Sequence, residues 1–168
     1  MPWYQLNVRH HTQLSRAQAW QFLGNIDNLE AMTPKHMRFK LLSQRSTELA
    51  MGSILAYSIQ PLPFIRMVWI SEISAFEPMK RFCDTQLSGP YKSWIHEHRI
   101  EGNDTGPCTL VDEIHFQLPF GLLGRFAYFL YVKSALNKAF AYRREALNRL
   151  INNPHSHNYE ITLQRIKA

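Results

Sequence analysis

Leu110–Leu118, LVDEIHFQL, runs into Pro119–Ile151, PFGLLGRFAYFLYVKSALNKAFAYRREALNRLI, and the join between them decides the fold. In the first part Leu110, Ile114, Phe116 and Leu118 fall on one face together with Asp112. Glu113, His115 and Gln117 fall on the other, which is the period of a half-buried strand. After Pro119-Phe120-Gly121 the period changes. Leu136, Phe140, Leu147 and Leu150 or Ile151 mark the buried stripe of one long helix.

Towards the N-terminus, the chain from His36 to Leu118 divides into strand-length segments. The divisions fall at Met51-Gly52, Pro61-Leu62-Pro63, Glu77-Pro78, Ser88-Gly89-Pro90 and Gly102 to Pro107. About six strands result, antiparallel because the connections are too short for crossovers. Before them, Tyr4 to Thr12 alternates as a strand. Ser15 is placed to cap a helix ending at Gly24, and a second short helix runs from Asp27 to about Met32, stopped by Thr33-Pro34.

A sheet with only one long helix to cover its inner face must curl around it, and two short helices can plug one end of the furrow. The expected fold class is therefore α+β: a curved antiparallel sheet of about seven strands wrapped around a long C-terminal helix, with two short helices after the first strand. One domain is expected over residues 1–151. In the tail, 152–168, Pro154 breaks the helix, and Tyr159, Ile161 and Leu163 alternate with polar residues, so it reads as an added edge strand, a partner contact in a homo-oligomer, or a disordered end.

With 168 residues, 45% of them hydrophobic, the chain can bury a core without metals or disulfide staples. Two cysteines, Cys83 and Cys108, are too few for a disulfide framework, and MPWYQLNVRHH has no signal-peptide pattern, so a cytoplasmic protein with reduced thiols is expected. The formal charge of +6 is scattered, with its densest pair at Arg143-Arg144, and no nucleic-acid motif accompanies it. A nucleic-acid partner is not expected. Phe126–Val132 is the longest apolar run and is far short of a membrane span.

Strand alternation supplies an inward-facing set. Trp94 and Ile100 share a face with His96 and His98. Phe82 shares one with Asp84 and Gln86. Leu55, Tyr57 and Ile59 form another apolar face, and Trp69 and Ile73 a further one. With Ile114, Phe116, Leu136 and Phe140 these make an aromatic and aliphatic wall carrying a polar cluster of His96, His98 and Asp112, joined by Asp84 and Gln86. Such a cluster can be a hydrogen-bonded network that fixes strand register, an anchor for a ligand's polar group, or a catalytic base oriented by a carboxylate. His96, His98 and Asp112 are the catalytic candidates. A His-x-His pair with a neighbouring Asp has ligand types suited to zinc or iron, but that spacing alone does not specify a site, and neither metal nor cofactor is expected. No nucleophile elbow, phosphate-binding glycine loop, CxxC or HExxH pattern is present. Cys83 falls opposite Phe82 and Asp84 and reads as a non-catalytic thiol.

Two apolar loops, Pro61-Leu62-Pro63-Phe64 and Phe120 to Gly124, are expected to frame the entrance to the cavity. The helix start, Phe126–Val132, is apolar on every side and calls for a second cover. A homo-oligomer contact is the first choice, ahead of the tail or a membrane surface.

Several segments, in order, resemble a known family: Asn28-Leu29-Glu30 with Thr33-Pro34; Phe82-Cys83-Asp84-Thr85-Gln86 with Gly89-Pro90-Tyr91; Trp94-x-His96-x-His98; Asp112; and Pro119-Phe120-Gly121 with Gly124. The chain is similar to the bacterial SRPBCC proteins of the START and pollen-allergen-like helix-grip superfamily, the polyketide cyclase/dehydrase-like group. That resemblance implies a β-α-α-β-β-β-β-β-β-α fold with a hydrophobic cavity. It covers roughly Tyr4 to Leu150 and departs after Asn152. The expected function is binding or transport of a hydrophobic or amphipathic small molecule, such as a lipid, an aromatic or a polyketide-like compound. One alternative is a cyclase/dehydratase-type enzyme using His96 or His98 with Asp112 or Asp84. The other is a structural interaction module.

Overall fold

The computed structural model describes residues 1–43, 49–62, 64–151 and 159–166. Strand β1 (Trp3–His11) leads to helices α1 (Arg16–Gly24) and α2 (Asp27–Met32), then to β2 (Lys40–Leu41), β3 (Ile54–Leu62), β4 (Ile65–Glu77), β5 (Arg81–Ser88), β6 (Ser93–Gly102) and β7 (Cys108–Gln117). Ser15 caps α1 with a full capping box, its hydroxyl accepting from the Gln18 backbone while the Gln18 side chain accepts from the Ser15 backbone. All pairings are antiparallel, in the order β2-β3-β4-β5-β6-β7-β1-β8. The eighth strand, β8 (Tyr159–Ile166), comes from the tail and lies along β1, giving eight strands where about seven were expected.

The long C-terminal helical segment has three parts: α3 (Gly121–Ala127), a π turn at Tyr128–Val132, and α4 (Lys133–Leu150). Its inner stripe, Gly124, Tyr128, Leu136 and Phe140, is spaced in multiples of four. In an α-helix of 3.6 residues per turn, four-residue steps drift by about 40° each. A π turn takes more residues per revolution and offsets much of that drift, which helps keep the stripe on the sheet. Gly124 is required because a Cβ there would collide with the Pro119 carbonyl. The stripe ends on Leu147 and the half-buried Ile151, while Leu150 faces solvent.

The main core joins Tyr4, Leu6, Trp69, Trp94, Ile114 and Phe116 from the sheet to Tyr128, Leu136 and Phe140 from the helix. Tyr4 stacks between Phe116 and Tyr128, with ring centroids 5.4 and 3.9 Å away. A second cluster, Ala19, Ile100, Cys108, Leu110 and Leu147, seats α1. The outer face of the helix start has no such cover among the described residues. Phe120, Leu122, Leu123, Phe126, Phe129 and Leu130 are each more than 70% exposed in the single chain.

Candidate functional site

Strand β6 sits between β5 and β7, and its alternation turns Trp94, His96, His98 and Ile100 inward. The register places Asp84 of β5 across from His96, and Asp112 of β7 across from His98. The side chains then join diagonally as well. His96 Nε2 lies 2.9 Å and His98 Nδ1 2.8 Å from Asp112 Oδ1, while His98 Nε2 and His96 Nδ1 lie 3.3 and 3.5 Å from Asp84 Oδ2. The two imidazole centroids are 3.8 Å apart. Each histidine thus bridges both carboxylates, which is possible because i and i+2 on one strand share a face.

Three further groups complete the cluster. Arg143 reaches from α4 to within 3.3 Å of Asp112 Oδ1. Ser71 donates to Asp84 Oδ1 at 3.4 Å and accepts from Trp69 Nε1 at 3.0 Å. Phe82 stacks on the His98 ring at 4.4 Å. Burial alone would raise both carboxylates, but the Arg143 charge and the imidazole hydrogen bonds hold Asp112 well below its ordinary range, and His98 with His96 does the same, less strongly, for Asp84. Burial pulls both imidazoles down. For His98 the hydrogen bonds to Asp112 and Asp84 win and its pKa is raised; for His96 burial, helped by repulsion from His98, wins and its pKa is lowered.

The cluster borders a cavity of about 140 Å³ between the concave face of the sheet, the α1–α2 junction and α4. Leu55, Tyr57, Trp69, Ile73, Phe82 and Trp94 form its apolar wall, and Leu23, Leu29 and Met32 close it from the helices. Asp84, His96, His98 and Arg143 form its polar side. Its volume is close to the roughly 150 Å³ that holds one benzene ring in an engineered core, and well under the roughly 300–1,000 Å³ of drug-sized sites.

The comparison with solved structures extends over nearly the whole chain. A START superfamily protein from Mycobacterium smegmatis aligns with a TM-score of 0.66 over 89% of this chain and 97% of its own, at 9% identity. A protein from Thermus thermophilus aligns at 0.66 over 90% and 99%, at 8% identity. Ginseng major latex-like protein 151 from Panax ginseng aligns at 0.61 over 89% and 98%, at 9% identity. The chain has the helix-grip fold. At these identities the likeness establishes the fold and says nothing of the chemistry. No family model matches the chain, and no curated protein matches it in sequence.

Within the helix-grip frame, nine of the residues picked from alternation line the cavity: Leu55, Tyr57, Ile73, Trp69, Phe82, Asp84, Trp94, His96 and His98. Others fall elsewhere. Ile59, Ile114, Phe116 and Leu136 are packed into the solid core. Asp112 and Phe140 border a smaller recess on the other side of Arg143. Gln86 leaves the cluster altogether: its amide donates to the Tyr91 carbonyl at 2.8 Å and accepts from the Tyr91 amide at 3.4 Å, clasping the β5–β6 turn. The reason is positional, since Gln86 lies beyond the last β5–β6 pair, Thr85 with Ile95. Cys83 is buried on the outer side and burial pushes its thiol pKa up, away from nucleophilic use.

Arg143 and Ser71 were missed. Arg143 reads in sequence as half of a basic surface pair, yet it lies at i+3 from Phe140 and i−4 from Leu147, on the buried stripe. That spacing was the available signal.

Proposed function

We propose that the protein binds a small amphipathic molecule of about one ring in the cavity beneath α1 and α2. The observation that carries this reading is a cavity with aromatic walls on one side and four titratable side chains on the other. Trp69, Trp94 and Tyr57 supply flat apolar contact for a ring, while Arg143, His98 and His96 offer donors to a carboxylate, hydroxyl or carbonyl. The volume favours such a compound over a long-chain lipid or multi-ring polyketide. A lipid would need α1 and α2 to move outward.

The test is a calorimetric or NMR titration with single-ring carboxylates and phenols, in wild type and in Trp94→Ala and Arg143→Met. Saturable one-to-one binding, weakened about tenfold or more by either change, supports the reading. Wild-type protein that stays blind to every one-ring probe, in a sample shown to be folded, overturns it.

A second reading, proton transfer of the cyclase/dehydratase type, is favoured by His96. Its imidazole has a lowered pKa, is oriented by Asp112, and borders the cavity, so it can act as a general base at neutral pH. Turnover of a bound carbonyl compound that is lost in His96→Asn but not in His115→Asn would support that role.

A further inference from the structure

The proton positions of the buried cluster can be counted. Asp112 Oδ1 lies 2.9 Å from His96 Nε2 and 2.8 Å from His98 Nδ1. Against a carboxylate His96 Nε2 carries the hydrogen, whereas His98 Nδ1 faces both Asp112 and, at 3.5 Å, the Arg143 guanidinium, which can only donate. In the neutral ring His96 Nδ1 is then a bare lone pair, and it and His98 Nε2, which can donate to Asp84, face Asp84 Oδ2 at 3.5 and 3.3 Å. Those two nitrogens and the carboxylate oxygen converge on one point, where a cation is favoured. A proton on His98 is one such cation.

We propose that a divalent first-row transition ion, of the Zn²⁺ or Fe²⁺ class, is another, held by Asp84, His96 and His98. The three ligand atoms lie within 4.8 Å of one another. Metal–ligand bonds of about 2.1 Å place neighbouring ligand atoms about 3.0–3.4 Å apart, so the two separations from Asp84 Oδ2, 3.3 and 3.5 Å, need almost no adjustment, and the imidazole nitrogens would draw together on the ion. Asp112, accepting from the far nitrogen of His96 and facing that of His98, is the outer carboxylate that orients both rings, and Ser71 holds the second Asp84 oxygen. Two imidazoles and one carboxylate suit this class of ion over Mg²⁺ or Ca²⁺. All three ligands border the cavity, so the remaining coordination positions open towards whatever occupies it.

The site is independent of the small-molecule reading, because the ion is titrated with no organic ligand present and ring compounds can be tested in chelator. Chelator-treated protein should take up one Zn²⁺ or Co²⁺ per chain. Asp84→Asn and His98→Gln should each weaken uptake more than about a hundredfold, Asp112→Asn about ten- to a hundredfold, and His115→Gln not at all. In wild type, Zn²⁺ should shift the ring resonances of His96 and His98, a readout that does not depend on the variants folding. No one-to-one uptake, unshifted rings, or uptake that survives in folded Asp84→Asn overturns the site.

Leu122, Phe126 and Phe129 fall at i, i+4 and i+7, and Leu123 and Leu130 extend the same exposed stripe. The Tyr131 hydroxyl donates to the Pro61 carbonyl, which ties the β3–β4 hairpin, with Phe64 99% exposed at its turn, to this end of the helix. In the sequence that flanks the patch the charge has one sign. No Asp or Glu occurs between Glu113 and Glu145 or between Glu48 and Glu72, whereas Arg66, Arg125 and Lys133 do, and Arg165 shares a surface recess with Leu122 and Arg125. A second copy on this face would set cation against cation; an anionic bilayer surface complements both the apolar stripe and its rim. The structure assigns this face to the surface of an anionic membrane.

Flotation with phosphatidylglycerol vesicles should carry the protein upward, phosphatidylcholine vesicles far less, and added salt should reduce the binding. Phe126→Asp should lower it more than about tenfold with an unchanged circular dichroism spectrum. Wild type that stays with neither vesicle, or a dimer in sedimentation that Phe126→Asp dissociates, overturns the assignment.

Discussion

Asp112 and Leu130 occupy opposite extremes of the molecule. Asp112 is a carboxylate 8% exposed, and Leu130 is an aliphatic side chain 78% exposed. Around the first, every neighbour was positioned by sheet register or helix rotation: two imidazoles, a guanidinium and a second carboxylate satisfy one another, so the desolvation cost is offset by charge-assisted hydrogen bonds. Around the second, no described element of the single chain returns to cover the helix start, and the apolar surface remains in water. The pair shows that burial follows from what the chain can bring opposite a residue, with the residue's own polarity only one contributor.

Breaking the polar region should have the largest effect. Asp112→Ala leaves Arg143 and both imidazoles without their shared acceptor, and a loss of about 3–5 kcal/mol is expected in urea unfolding. A loss below about 1 kcal/mol would show that the cluster is not a coupled unit. The helix itself then offers a graded comparison. Leu136→Ala, under the sheet, should cost about 3 kcal/mol, whereas Leu130→Ala, earlier on the same helical segment, should stay within about 0.5 kcal/mol. Equal losses would mean that the exposed face is covered in solution.

The smallest effect expected is with pH, through His10. This residue is buried with its Nε2 3.0 Å from Asn148 Oδ1, and burial holds its pKa below the ordinary 6.5. On acidification the unfolded chain takes up the proton first, so the His10 contribution is present above pH 6.5 and is lost as the pH falls from there through the lowered folded value. His10→Gln should flatten that part of the melting-temperature profile relative to wild type. An unchanged slope below pH 6.5 would remove His10 from the acid response.

Much of the frame was legible because short-range rules carry it. The Ser15 cap, the Thr33-Pro34 stop, and the hairpin punctuation all act within a few residues. The candidate site was legible in part. Alternation put His96, His98 and Asp112 on the inner face, since a strand's two faces differ by one residue. It overreached at Gln86, where the strand pairing had already ended and a turn competed for the amide. It said nothing of Arg143, whose partner Asp112 lies far back in the chain on another element.

By itself the sequence determined the element order, the inward faces of β6 and β7, and the apolar character of the helix start, because periodicity and turn chemistry are local properties. Only the tertiary structure decided that Asp84 stands across from His96, that α4 delivers a cation to Asp112, and that the cavity measures about 140 Å³. Those depend on register, helix rotation and the volume left after packing, each set jointly by residues far apart in the chain. It was likewise the tertiary structure that left the outer face of Leu122–Leu130 in water, because whether an apolar stripe is covered depends on what else the chain places beside it.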